Sequence, residues 1–339
     1  MKLNIRYLSQ SDVIALGGTD MQAAISDMER VLSLKETGDA IVPDKVSMGW
    51  GKTVLEEKTL GRINAMPGYI GGEYRMAGIK WIGSNPGNLN EGLPRASAVT
   101  ILNDPVTKYP ASIMDGTLIS LTRTGAASGV AVKYLSAETS RTLVLIGAGL
   151  QCTAQLEATL CVRPEIHEIV ISDLNFERAR DFAADMEAKF RRNVTPVENA
   201  LEYARRADII ITATGASSPV ITSEWLNPEG CLYINLGGYE CSYDTVEKAD
   251  KIVVDSWSHV KHRRAGTIAR MAEEGLVDDA RIHANLGEIV LGRKTGRTAS
   301  SEIIYYNGVG MGIEDVAVAT RVYRNAEEKG VGKVLPFWD

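Results

Sequence analysis

Apolar positions along the chain fall into two textures. From Thr142 onward, short apolar runs alternate with stretches of helical periodicity. Leu143-Val144-Leu145-Ile146 leads to a helix from Gln151 to about Leu160, and Glu168-Ile169-Val170-Ile171-Ser172-Asp173 to a helix from Phe176 to Phe190. Ile209-Ile210-Ile211, Leu232 to Leu236 and Lys251 to Asp255 follow as further apolar runs. Uninterrupted runs of this length suit strands buried on both faces, and their alternation with helices predicts a doubly wound parallel sheet.

The leading part reads differently. A helix from Gln22 to Glu36 gives way to a Gly-rich region with short alternating pieces, Arg62 to Met66 and Ala77 to Ile82, that suit strands of a separate mixed sheet. Asp115 to Leu135 is nearly uncharged and rich in small residues, which predicts a buried helix joining two lobes. The last helix, Ile313 to Glu328, would return to the first lobe and make it discontinuous. The expected division is residues 1–122 with 311–339 as a substrate-binding and dimerisation lobe of α+β type, and 123–310 as a Rossmann lobe.

Composition narrows the function classes. The chain has 339 residues, 45% apolar and 24% charged, as expected of a globular protein large enough for two domains. With 37 Lys+Arg against 43 Asp+Glu, the net charge of −6 argues against a general nucleic-acid or membrane-surface binder. Cys152, Cys161, Cys231 and Cys241 form no CxxC, and no apolar run has signal-peptide or membrane-spanning length, so a cytoplasmic protein is expected. His259 and His262 are three apart but lack a third ligand, which favours a solvated basic face over a metal site. No GxSxG, HExxH or P-loop supports hydrolase or kinase chemistry.

The strongest local signal is Gly147-Ala148-Gly149-Leu150-Gln151-Cys152, a G-x-G-x-x-C turn between a strand and a helix. The first glycine permits the tight turn and the second lets backbone approach a pyrophosphate. Asp173 ends the next strand at roughly the 20-residue spacing expected of a ribose-binding carboxylate. A carboxylate there accepts from both ribose hydroxyls and repels a 2′-phosphate, so NAD is favoured over NADP. Leu174 and Asn175 offer no arginine to reverse that preference. Asp173 could instead cap the helix that starts near Phe176.

Candidate substrate chemistry lies in the first lobe. Lys80 interrupts an apolar strand, Arg95 follows the loop Asn85 to Pro94, and Arg123 interrupts the small-residue helix. A cation inside such a helix must face an anion, either a substrate carboxylate or cofactor phosphates, or else an internal acid such as Asp115 or Glu73.

On these residues the chain resembles the ornithine cyclodeaminase/μ-crystallin family of NAD(P)-dependent amino- and imino-acid oxidoreductases. The matching pieces are Met66-Pro67, Gly78-Ile79-Lys80, Leu102-Asn103-Asp104 with Tyr109-Pro110, Arg123-Thr124-Gly125-Ala126-Ala127, Ile146 to Gln151, Thr212-Ala213-Thr214, and Gly308 to Asp315. Within the family it is most similar to the branch that makes 2,3-diaminopropionate, through Lys80-Trp81-Ile82-Gly83-Ser84, Arg95-Ala96-Ser97 and Val254-Asp255-Ser256-Trp257. The resemblance implies a homodimer. It also implies that Lys80 and Arg123 meet the substrate, that Lys45 stands near a carboxylate-gripping position, and that Val309 lies at the nicotinamide edge. Arg123, Thr124, Gly147, Ala148, Gly149, Leu150, Gln151, Asp173, Thr214, Gly237, Gly238 and Gly308 are its expected NAD contacts. Cyclodeaminases carry an aspartate directly after the Gly-Gly turn, whereas here Tyr239 stands there and Glu240 follows, which puts ornithine cyclisation in doubt.

The reaction this implies is oxidation of N-(2-amino-2-carboxyethyl)-L-glutamate to an imine that water cleaves to 2,3-diaminopropionate and 2-oxoglutarate. Its three carboxylates call for several cations, and Lys45, Lys80, Arg95 and Arg123 are the candidates. Lys80 and Glu240 are the candidate acid/base groups. Other readings remain: a ketimine reductase, alanine dehydrogenase or ornithine cyclodeaminase on the same scaffold, or a nucleotide-binding μ-crystallin-like protein without turnover.

Overall fold

The structure is a computed structural model that describes residues 3–49, 61–264 and 266–338. The chain divides into two compact units, Met1–Arg123 with Gly310–Asp339, and Thr124–Val309. Arg123 therefore belongs with the first unit rather than the second.

In the first unit the strands are β1 (Leu3–Leu8), β2 (Ala40–Ile41), β3 (Val46–Gly49), β4 (Arg62–Ile70), β5 (Met76–Ser84), β6 (Ala96–Asn103), β7 (Pro110–Asp115) and the C-terminal β16 (Lys333–Trp338). They form one sheet in the order β16-β1-β7-β6-β5-β4-β2, with β3 also paired to β4. β1 and β7 run parallel, and β4 to β7 form an antiparallel meander. Its register sets one row across the inner face: Met66 opposite Lys80, Lys80 opposite Thr100, Thr100 opposite Met114. All four are buried.

The helix Gly312–Lys329 covers that face, packed on β4, β5 and β6 and on the helix Met21–Glu36. Its first turn meets β4 backbone to backbone. A Cβ on Gly312 would lie 2.4 Å from the Pro67 carbonyl oxygen, and one on Gly68 would lie 2.9 Å from the Ile313 nitrogen. Glycine at both positions lets the helix start directly over the strands, which brings residues 314 and 315 above Lys80.

The second unit carries β8 (Thr142–Ile146), β9 (Glu168–Ser172), β10 (Val194–Pro196), β11 (Ile209–Thr212), β12 (Cys231–Asn235), β13 (Lys251–Val254), β14 (Ala284–Asn285) and β15 (Ile303–Asn307). The sheet is parallel throughout, in the order β10-β9-β8-β11-β12-β15-β13-β14. This is the doubly wound arrangement expected, with β15 slotted between β12 and β13. Order reverses between β8 and β11, so the loops leaving those neighbours diverge to open a crevice where nucleotides bind in such sheets. Apolar burial drives the pattern: β11 and β12 are buried along their whole length, matching the runs that lack alternation. No helix among the described residues is long and apolar enough to cross a membrane.

Candidate active site

Within the first unit, Lys80 and Arg123 are buried and turned inward to one acidic pair. The Lys80 Nζ lies 2.8 Å from Asp315 Oδ2 and donates to Ser120 Oγ at 3.0 Å. Arg123 donates through Nη1 to Glu314 Oε2 at 2.6 Å and through Nε to Asp315 Oδ1 at 3.3 Å. Asp315 thus bridges both cations. The partner acids are not Asp115 or Glu73, the two that sequence suggested. Glu314 and Asp315 occupy the first turn of the helix Gly312–Lys329, where the helix dipole favours negative charge.

This arrangement dictates its own electrostatics. Burial, and next the neighbouring Arg123 charge, pull the Lys80 ammonium down from 10.5 to about 8, while Asp315 opposes the fall. Lys80 can therefore exchange a proton near neutral pH, which an exposed lysine does poorly. Gly310 is shaped by the same cluster: it holds φ +72°, and a Cβ there would come within 2.2 Å of Arg123 Nη1.

The other expected cations are placed differently. Lys45 is half-buried, one residue before β3, whose Val46 faces Ala65 of β4. Arg95 is exposed at the approach to β6, five positions before Thr100, or about 17 Å along an extended strand. The structure brings Lys80 and Arg123 together and leaves Arg95 outside the cluster.

In the second unit the glycine turn sits at the switch point. Gly147 has φ +103°, and a Cβ there would strike the Ala213 carbonyl at 2.8 Å, so only glycine fits between the β8 and β11 loops. Gly149 stands at the N-cap of the helix Leu150–Val162 with no side-chain cap, and a Cβ on it would meet nothing within 4 Å. Backbone N–H groups at such a helix start suit a pyrophosphate. Cys152, at the third small position, is buried with its Sγ toward the Ile146 carbonyl at 3.9 Å. Gly125 sets the approach of two helices, since a Cβ on it would lie 2.6 Å from the Ala154 carbonyl oxygen, and the Thr124 carbonyl accepts from Gln155.

Asp173 follows β9 and accepts from the Ala148 N–H at 2.8 Å and the Asn175 N–H at 2.9 Å. The helix cap is Asn175, not Asp173. Leu174 and Asn175 carry no arginine, but Arg178, in the first turn of the following helix, places Nη1 3.8 Å from Asp173 Oδ1. Its side chain is half exposed, so this pairing is weak and solvent-screened. Sequence proximity missed it because the helical turn, not adjacency, brings it back.

Thr214, Gly237 and Gly238 follow β11 and β12, and Val309 follows β15, donating its N–H to Asp255 Oδ2 at 2.7 Å. Glu240 is fully buried, and its carboxylate accepts from Thr212, Thr214, Asn235 and Gly237. Five donors on that carboxylate leave it no lone pair for a substrate amine, which speaks against Glu240 as the acid/base. Among the described residues no group of three or more His, Cys, Asp and Glu could hold a metal. The glycine turn, the uncapped helix start and Asp173 fit a dinucleotide.

Comparison with known proteins agrees with this arrangement. Residues 8–330 match the model of the ornithine cyclodeaminase/mu-crystallin family. The N-((2S)-2-amino-2-carboxyethyl)-L-glutamate dehydrogenase of Staphylococcus aureus is 34% identical over 342 aligned positions, covering 100% of both chains. The Delta(1)-pyrroline-2-carboxylate reductase of Thermococcus litoralis, solved with NADH and L-proline, superposes with a TM-score of 0.89 at 37% identity, over 97% of this chain and 99% of that one. An archaeal alanine dehydrogenase dimer with bound NAD also gives 0.89, at 34% identity and 99% and 100% coverage. By sequence and by fold, the chain belongs to the ornithine cyclodeaminase/mu-crystallin family.

Proposed function

We infer that the protein is an NAD-dependent oxidoreductase of amino or imino acids, and that its substrate is N-(2-amino-2-carboxyethyl)-L-glutamate. The observation that carries this reading is the buried meeting of Lys80 and Arg123 at Asp315, in a chain that aligns end to end with a dehydrogenase of that conjugate. When bound, NAD supplies the two-electron acceptor for the substrate Cα–H bond. The chain's own residues do the rest. Arg123 offers the planar donor set suited to a carboxylate. Neutral Lys80 takes the proton that keeps the secondary amine from being oxidised. After water adds to the C=N bond, the Lys80 ammonium returns a proton to the departing nitrogen, and cleavage gives 2,3-diaminopropionate and 2-oxoglutarate.

A second reading has its own support. Among the ion pairs of the described residues, Lys80 and Arg123 are matched by Glu314 and Asp315, which suits a substrate of no net charge such as the alanine zwitterion. The larger conjugate needs further cations, for which Lys45 and Arg95 are the candidates. NADH formation, followed by absorbance with the conjugate, alanine, proline and ornithine in turn, separates the readings. The conjugate should give the highest kcat/KM, and replacing Lys45 or Arg95 by Ala should lower it for the conjugate but not for alanine. Preference for alanine would establish the second reading. NADH binding without turnover of any of them would leave a binding protein.

The proposed working form is a cytoplasmic homodimer. Its support is the dimeric archaeal relative and a row of solvent-facing apolar side chains, Val46, Trp81 and Val99, aligned across β3 to β6 through Ala65.

A further inference from the structure

We propose that Glu240 is a positioning residue: its buried carboxylate ties the loop after β11 to the loop after β12, holding Thr214 and Gly237 where the cofactor is read. The proposal rests on the NAD reading of this unit. Glu240 Oε1 accepts from the Thr214 N–H at 2.5 Å and the Thr214 hydroxyl at 2.6 Å. Oε2 accepts from the Thr212 hydroxyl at 3.0 Å, Asn235 Nδ2 at 2.8 Å and the Gly237 N–H at 2.7 Å. Three donors come from the β11 side and two from the β12 side. A carboxylate has about four lone-pair sites, so five donors saturate it and leave none for a substrate proton.

The surroundings support a fixed carboxylate. Tyr233 lies 3.0 Å from Thr212 Oγ1, and Tyr305 donates to Asn235 Oδ1 at 2.9 Å, so neutral hydroxyls stand behind the donors. Burial pushes both phenols well above 10, so neither supplies a competing charge. The Glu240 main chain is held as well, its carbonyl accepting from the Val220 and Ile221 N–H groups. Gly237 fits the same scheme: a Cβ on it would lie 2.3 Å from the Glu240 carboxyl carbon. A side chain at 237 would expel the carboxylate. Charge-assisted hydrogen bonds of this kind are strong and short-ranged, so moving the acid by one side-chain length would release both loops.

The test replaces Glu240 by Gln, which keeps size but puts an NH₂ group among donors. NADH binding is followed by fluorescence titration of the protein without substrate, alongside thermal unfolding and the pH profile of kcat/KM. The expected result is an NADH dissociation constant raised about tenfold or more, with the limbs of the pH profile where the wild type has them. Unchanged NADH affinity, with or without a lower melting temperature, would overturn the proposal. So would loss of a pH limb with binding intact, which would make Glu240 the acid/base. Thr212→Val removes one donor in a near-isosteric exchange and should raise the constant about threefold, giving a reading if the Gln variant does not fold. Wild-type protein that binds no NADH would overturn the cofactor reading itself, and the tether with it.

Discussion

Lys80 and Glu240 are both fully buried charges, one in each unit, yet they live among opposite neighbours. Lys80 is surrounded by other charges, a cation that repels it and an acid that holds it. Glu240 is surrounded by neutral hydroxyl, amide and backbone donors. The consequence differs accordingly. Two of the three Lys80 donors have partners among the described residues, and the ammonium is poised to lose a proton. Glu240 has every lone pair engaged. Burial alone therefore does not mark a reacting group; what matters is whether the neighbours leave a donor or acceptor position open to a substrate.

That contrast can be broken experimentally. Its largest expected effect is on Lys80→Met, which should lower turnover by about a thousandfold or more, the range for loss of an acid/base, while NADH affinity measured by fluorescence stays within about threefold. Equal losses in both would contradict the role. Next is Asp173→Ala, in the other unit, which should weaken NADH binding about tenfold and raise the NADP-to-NAD ratio of kcat/KM, helped by the nearby Arg178. An unchanged ratio would mean that Asp173 does not read the ribose.

The smallest effect is a displacement on the pH axis. Below its pKa Lys80 is an ammonium and cannot accept a proton, so amine oxidation should rise with pH through about 8. Asp315 raises that pKa, so Asp315→Asn should move the rising limb to lower pH, by about one unit. A shift to higher pH would show that Lys80 does not own the limb.

How far the sequence could be read follows from the same contrast. In the second unit the signals are local. The strand, the glycine turn and Asp173 lie within one βαβ stretch, and the helix Phe176–Phe190 matches its periodicity at both ends. The first unit was less legible because its site is assembled from distant pieces. Arg123 and Asp315 are 192 residues apart in the chain, and nothing in the spacing announces that they touch. The resemblance pointed to Gly308 to Asp315 as a motif, but only the register of β5 under the helix Gly312–Lys329 shows Asp315 as the partner of both cations. β6 and β7 are hard to read in the sequence for a related reason: their mixed composition gives no clean period, and pairing in the meander decides them. For Glu240, residue type and position suggest chemistry, and sequence gives no sign that its five donors come from two separate loops.

The glycines at 310 and 312 have a bearing on attempts to redesign what the enzyme accepts. One is wedged against a guanidinium and the other against a strand backbone, so a library randomised through this stretch would return mostly collapsed variants. Diversity is better spent at positions 45 and 95, which are half-buried and exposed and so less confined than these glycines.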